Sequence, residues 1–328
     1  MKGREESDAR TEKIIDECVS KSPYYIADFI ETFGNKTATT KLNYIRKVCT
    51  FLDYLKEKNI ININEPQNFA KLLPSKVNAY MNTLQTKSES TQAQTYYALQ
   101  FFFKYLKADR YIKENIFDDI DAPKVQNNKE VVAMNSSEIK YMKGFAKNGS
   151  DKETEREKAR RAEWRERDFA IVQLGITTGM RVTSISEINL EDIDYDNMTI
   201  SVVEKGNKRR LVYLDNRTLE AIKEWIVKRE SYLIKRGKNS NALFISNQCK
   251  RISIDAIQLL TTNFTKGIDK HITPHKMRSS CATNLYDRTG DIYLVMNQLG
   301  HANINNTKRY TRINESRRRE ASNILGDM

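Results

Sequence analysis

The sequence predicts a mainly α-helical protein of two domains, with one small antiparallel β-sheet in the second. Three observations predict it. The 328 residues are about twice the ~100–200 usual for one domain. Apolar residues recur at three- and four-residue spacing through most of the chain. Only residues 198–214, MTISVVEKGNKRRLVYL, read as two β-rich runs joined by a Gly-containing polar turn, which is a hairpin. Apolar residues at 39% against 30% charged suffice to bury a core and exclude a wholly disordered chain.

Residues 1–23 form an N-terminal extension, and residues 24–120 a small helical domain. Its clearest helix is KLNYIRKVCTFLDYLKEK, where Leu42, Ile45, Val48, Cys49, Leu52 and Leu55 line one face. SKVNAYMNTL after Pro74 and STQAQTYYALQFFFKYLKAD, with Ser90 as N-cap, supply two more. The aromatic cluster Tyr96, Tyr97, Phe101, Phe102 and Phe103 fits a core better than a base-stacking platform, because it follows helical spacing. Periodicity stops over 121–133, DAPKVQNNKEVVA, a linker. The second domain is residues 134–310, followed by an 18-residue tail, 311–328.

Within the second domain, residues 151–168 carry seven acidic and seven basic side chains. Glu157–Arg161 and Glu163–Arg167 are spaced for helical pairing, so the run reads as a solvated helix or an extended loop, with a DNA-facing insertion as the competing reading. An apolar helix ending in TTGMR comes next, then the hairpin. Helices follow to the end, from TLEAIKEWIVKRESYLI through NNTKRYTRI.

Lysine and arginine outnumber aspartate and glutamate 55 to 43, a net charge of +12 and a pI near 9.3, which points to a polyanionic partner. The four cysteines, Cys18, Cys49, Cys249 and Cys281, form no CxxC pair, so neither a zinc site nor a disulfide framework is expected. No apolar run nears the ~20 residues of a membrane span, and MKGREESDAR is no signal peptide. A cytoplasmic, nucleoid-associated protein without metal or cofactor is expected.

The residues that carry chemistry are Arg181 in TTGMR, Lys205 at the hairpin turn, His275 and Arg278 in TPHKMRSS, His301 in LGHANI and Tyr310 in KRYTRI. Singly each has a bland reading: a solvated turn lysine, a capping histidine, a core histidine. In this order and spacing, with the tyrosine nine residues after the histidine, the second domain resembles the tyrosine recombinases, the family of phage integrases and Xer-type enzymes. The helical first domain fits that family's core-binding domain in size and position.

The resemblance implies a two-domain DNA clamp, a core-binding domain plus a catalytic domain around duplex DNA. Cleaving a phosphodiester without water or metal requires a nucleophile, cations on the pentavalent transition state and an acid for the departing 5′ oxygen. On that resemblance Tyr310 is the nucleophile, forming a 3′-phosphotyrosine. Arg181 and Arg278 hold the non-bridging oxygens, as a fixed guanidinium fork suits them. Lys205 is the general acid by position, with Lys208 as an alternative. His275, after the capping candidate Thr273 and Pro274, lies in a first helical turn whose dipole favours a neutral ring. His301 adds a hydrogen bond to the phosphate. The break at NINN lets Tyr310 approach His301 closer than the ~13 Å of one continuous helix.

Where relatives have an acidic residue three positions after the first arginine, this chain has Ser184; Glu187 has no assigned role. The implied partners are duplex DNA recombination sites, a homo-tetramer on two such sites and an accessory DNA-bending or directionality protein. The tail offers Ile324 and Leu325 as an anchor for a neighbouring subunit, or Arg317, Arg318 and Arg319 for DNA. A mobile-element integrase or transposon recombinase is favoured by the 151–168 run and the extra length. The alternatives are Xer-type dimer resolution, a type IB topoisomerase-like enzyme and a non-catalytic DNA-binding protein.

Overall fold

The structure, a computed structural model, describes residues 2–124, 131–149, 153–203, 209–310 and 322–323. The chain divides into two compact units, residues 1–129 and 130–328.

The first unit contains α1 (Lys2–Ser20), α2 (Tyr25–Glu31), α3 (Ala38–Glu57), α4 (Pro74–Thr83) and α5 (Glu89–Ala108). Helix α1 lies in the stretch read from sequence only as an extension. It packs on α3, where buried Ile15 meets Leu42 and Ile45. Thr37 caps α3 by accepting from the Thr40 amide, and Leu42, Ile45, Val48, Phe51, Leu52 and Leu55 are its buried face. Helix α5 begins one residue before the expected cap. Ser88, extended at ψ 148°, accepts from the Thr91 amide, so Ser90 lies inside the first turn. Of the aromatic cluster, Tyr96, Phe102 and Phe103 are buried and Phe101 packs against the same core. Tyr97 alone among the five is half exposed, at 51%.

The second unit is built on α6 (Ser136–Asn148), α7 (Glu155–Thr178) and α8 (Val182–Glu187), then β1 (Ile193–Asp194), β2 (Thr199–Val203) and β3 (Arg209–Tyr213). It continues with α9 (Asn216–Lys235), α10 (Ile254–Phe264), α11 (Pro274–Thr289), α12 (Ile292–Leu299) and α13 (Asn305–Lys308). The sheet is antiparallel in the order β1-β2-β3, with Ile200 opposite both Ile193 and Val212. Strand β1 was not foreseen, because two residues carry no readable alternation.

Helix α7 explains the charged run. Thr154 and Glu157 form a reciprocal capping box at its start, so Glu157 bonds the Thr154 amide while Arg161 pairs with Glu153 at 2.8 Å. Arg167 likewise pairs with Asp168 at 2.6 Å and donates to the Ile245 carbonyl. Residues 155–168 are therefore the first half of one long helix and not an extended loop. Trp164, Arg167 and Asp168 are already buried there. The second half, Ala170–Thr178, passes through the core of the unit with Trp225, Phe244, Ile257 and Met277 around it.

Among the described residues no helix is long and apolar enough to cross a membrane, and no cluster of His, Cys, Asp or Glu is grouped to hold a metal ion. All four cysteines are unbridged.

Candidate active site

Each side chain of the site sits where a helix begins or ends. Helix α7 stops at Gly179, which is left-handed at φ 63° and so favours glycine. A Cβ there would meet Leu299 Cδ2 at 2.8 Å and Cys281 Sγ at 3.2 Å, so α11 and α12 approach this turn closely for lack of a side chain. Two residues later Arg181, in extended conformation, is the N-cap residue of α8. Ser184, at the position where the resemblance led us to expect an acid, is buried in α8.

Helix α11 starts as expected. Thr273 accepts from the Lys276 amide and Pro274 opens the first turn, which puts His275 in that turn with Arg278 on the same face. Arg278 is only 3% exposed. Its Nη1 donates to the Gly179 carbonyl and its Nη2 to the Leu299 carbonyl, each at 2.6 Å. One guanidinium thus joins the C-terminal ends of α7 and α12. Gln298 Nε2 reaches the Thr177 and Thr178 carbonyls at 3.4 Å, and Arg210 of β3 reaches the Gln298 carbonyl at 3.3 Å, so the hairpin is tied to the same junction.

Gly300 ends α12 in the left-handed region at φ 65°. The chain turns through residues 302–304 into α13, and the His301 and Tyr310 rings come to rest 6.3 Å apart, nearly parallel at 16°. His301 Nδ1 shares a 2.9 Å hydrogen bond with Thr307 Oγ1, and Thr307 is fully buried. Tyr310 is buried with Ala282, Val295 and Leu299.

Sequence reasoning missed Arg309. Its Nη2 lies 2.8 Å from His275 Nε2 and donates to Tyr310 Oη at 2.9 Å, and its guanidinium carbon sits 4.9 Å from the Tyr310 ring centroid. One more base in KRYTR carries no signal by itself; only the turn after α12 brings it onto His275.

His275 is held below its ordinary value of 6.5 by burial first, then by the cations Arg309, Arg278 and Arg181. Burial and these arginines act in the same direction as the helix dipole expected from the sequence, toward a neutral ring. Because the unfolded chain takes up this proton more readily, the contribution of His275 to stability is lost as pH falls below 6.5. Any cleavage that needs the neutral ring is expected to hold its rate as pH is lowered through that value and to fall only at more acid pH. Single-turnover rates over roughly pH 5–8 check this. A rate already halved at the ordinary histidine value would contradict it.

The structure thus brings Arg181, His275, Arg278, His301 and Tyr310 to the junction of α7, α11 and α12. Lys205 and Lys208 lie outside the described residues, as do Ile324, Leu325 and Arg317–Arg319 of the tail.

Comparisons with known proteins identify the family. Residues 152–317 match the Phage integrase family, and residues 26–113 match the phage integrase N-terminal SAM-like domain. Tyrosine recombinase XerC of Caldanaerobacter subterraneus subsp. tengcongensis is 39% identical over 166 residues, which are 49% of this chain and 45% of that protein. Tyrosine recombinase XerC of Alcanivorax borkumensis is 30% identical over 231 residues, 70% of this chain and 71% of the relative. In fold the chain is similar to the XerH site-specific recombinase bound to a palindromic difH substrate, with a TM-score of 0.73, 21% identity, and 95% and 88% of the two chains covered. It is similar also to the Tn1549 transposon integrase bound to transposon right end DNA, with a TM-score of 0.65, 18% identity, and 92% and 98% covered. Matched by the family model over half its length and aligned at 30% identity with most of a named member, the chain belongs to the phage integrase family, the tyrosine recombinases.

Proposed function

We propose that this chain is a site-specific DNA recombinase of the Xer type, with Tyr310 as its nucleophile. The observation that carries the reading is the convergence of two arginines, two histidines and a tyrosine on one junction of three helix ends. In this reading Arg181 and Arg278 hold the non-bridging oxygens of the scissile phosphate. Tyr310 Oη attacks phosphorus to leave a 3′-phosphotyrosine, Lys205 protonates the leaving 5′ oxygen, and His275 accepts the phenol proton. His301, its Nδ1 engaged by Thr307, turns Nε2 to the phosphate. Arg278 gives one N–H of each terminal nitrogen to the Gly179 and Leu299 carbonyls, and its other N–H groups are the ones that would meet the phosphate.

The relatives named XerC support dimer resolution over a mobile-element role. The charged run, the main sequence argument for a mobile element, belongs to α7 and to the family match, which removes its weight. Strand exchange by a homo-tetramer on two DNA sites, through a Holliday junction, is part of the same proposal. The test is a supercoiled plasmid dimer carrying two copies of a candidate site from the host chromosome. Resolution to monomers supports the reading. Movement of the flanking DNA of the encoding gene, without dimer resolution, would favour the mobile-element role. Relaxation by a monomer without recombinant products would favour a topoisomerase, and binding without any covalent adduct a non-catalytic regulator.

A further inference from the structure

Arg309 is an exposed side chain whose one terminal nitrogen touches two groups of the proposed chemistry, His275 Nε2 and Tyr310 Oη. A guanidinium has only donors, so Nε2 must accept. That fixes the tautomer: the ring proton sits on Nδ1, and the Nε2 lone pair is directed to the side where the phenol lies. We propose that Arg309 is a positioning residue of the cleavage reaction, holding the Tyr310 phenol and the His275 imidazole on one nitrogen so that they are adjacent when the scissile phosphate arrives. The proposal rests on the reading of Tyr310 as nucleophile.

The handover follows from charge. A phosphate oxygen is an anion and a stronger partner for a guanidinium than a neutral imidazole, so an arriving phosphate draws Nη2 off Nε2. The bared lone pair then stands beside the phenol. The phenol O–H bond breaks as Nε2–H forms. The Oη–P bond forms, the P–O5′ bond breaks, and the 5′ oxygen takes its proton from the general acid assigned to Lys205. Arg309 exchanges no proton, because a guanidinium stays charged; its work is to place two groups and to meet the negative charge that develops on Oη in the transition state. Among the described residues, the charged groups acting on His275 are Arg181 at the start of α8, Arg278 on α11, and Arg309 beside the phenol. His301 lies across the Tyr310 ring.

The test uses the full chain on a nicked suicide duplex at saturating DNA, with Arg309→Ala, Arg309→Lys and Arg309→Gln compared across pH. Arg309→Ala is expected to slow adduct formation about 10- to 100-fold near neutrality, the value of a charge-assisted hydrogen bond. The deficit should shrink as pH rises, because a more basic medium favours the phenolate without the guanidinium. The acid limb of the profile should move to higher pH, because a cation beside His275 is gone. Arg309→Lys should restore the limb and part of the rate, and Arg309→Gln neither. A deficit that vanishes at saturating DNA, one that is equal at every pH with the limb unmoved, or equal rescue by Gln and Lys would each overturn the proposal.

A second readout needs no activity. The chain has three histidines, so 15N-histidine NMR of the DNA-free protein can follow His275 alone. The proposal expects an Nδ1–H tautomer and a titration displaced to higher pH in Arg309→Ala. A wild-type protein that shows this but forms no adduct would refute the nucleophile reading. A wild-type protein that forms adducts with an Nε2–H tautomer would refute the role of Arg309.

Discussion

Tyr310→Phe is expected to bind its DNA site with unchanged affinity and to form no covalent adduct at all. The ring that packs against Ala282, Val295 and Leu299 is kept, and only the oxygen that accepts from Arg309 is removed. A hydrogen bond to an exposed guanidinium contributes about 1–3 kcal/mol at most, so the variant should remain folded, with its unfolding midpoint close to that of the parent. Duplex affinity comes mainly from many backbone phosphate contacts, none of which needs this hydroxyl. The loss in cleavage should be complete, because no neighbouring group can replace a nucleophile, whereas loss of a hydrogen-bond donor only slows a reaction. Gel-shift titration and denaturing electrophoresis of the same samples separate the two effects. An adduct formed by Tyr310→Phe would end the assignment.

Arg278→Ala is expected to damage both fold and reaction. Its guanidinium is buried and bonded to the Gly179 and Leu299 carbonyls at 2.6 Å, so truncation leaves two inward-facing acceptors unmatched and opens a gap between the ends of α7 and α12. Unsatisfied buried groups cost about 1–3 kcal/mol each, and a loss of roughly 2–4 kcal/mol in denaturant unfolding is expected. Cleavage should fall by at least about a hundredfold, the usual effect of deleting one donor to a developing anionic charge. Arg278→Lys separates the roles. It keeps a positive charge but cannot fork onto two carbonyls, so it should recover part of the rate and little of the stability. A variant that loses activity with its unfolding curve unchanged would contradict the tie between α7 and α12.

What the sequence made legible were features with a local signal. Leu42, Ile45, Val48, Leu52 and Leu55 repeat at helical spacing, and all five are buried on α3. Thr273-Pro274 is a helix start by composition alone, and α11 begins there. The break at NINN was expected to bring Tyr310 near His301, and the two rings lie 6.3 Å apart. The illegible features depend on tertiary neighbours. The sequence pointed to Ser90 as the cap of α5, whereas the extended backbone at Ser88 makes that residue the cap. The charged run at the start of α7 reads as solvated because charges of both signs surround Trp164 and the buried Arg167–Asp168 pair. Arg309 has no motif of its own; its part arises from a turn that carries it onto His275. Arg278, expected to face phosphate, proved also to be a structural tie between two helix ends, a role no spacing rule could show.

The central claim is that one tyrosine, at the end of this chain of turns, takes the DNA strand. The chain contains 16 tyrosines, so identifying the linked one is a demanding test. The wild-type protein should be trapped on a nicked suicide duplex, digested, and the DNA-linked peptide sequenced by mass spectrometry. The account predicts a single linkage, from the Tyr310 oxygen to a 3′ phosphate. A linkage at any other residue, or to a 5′ phosphate, would contradict it.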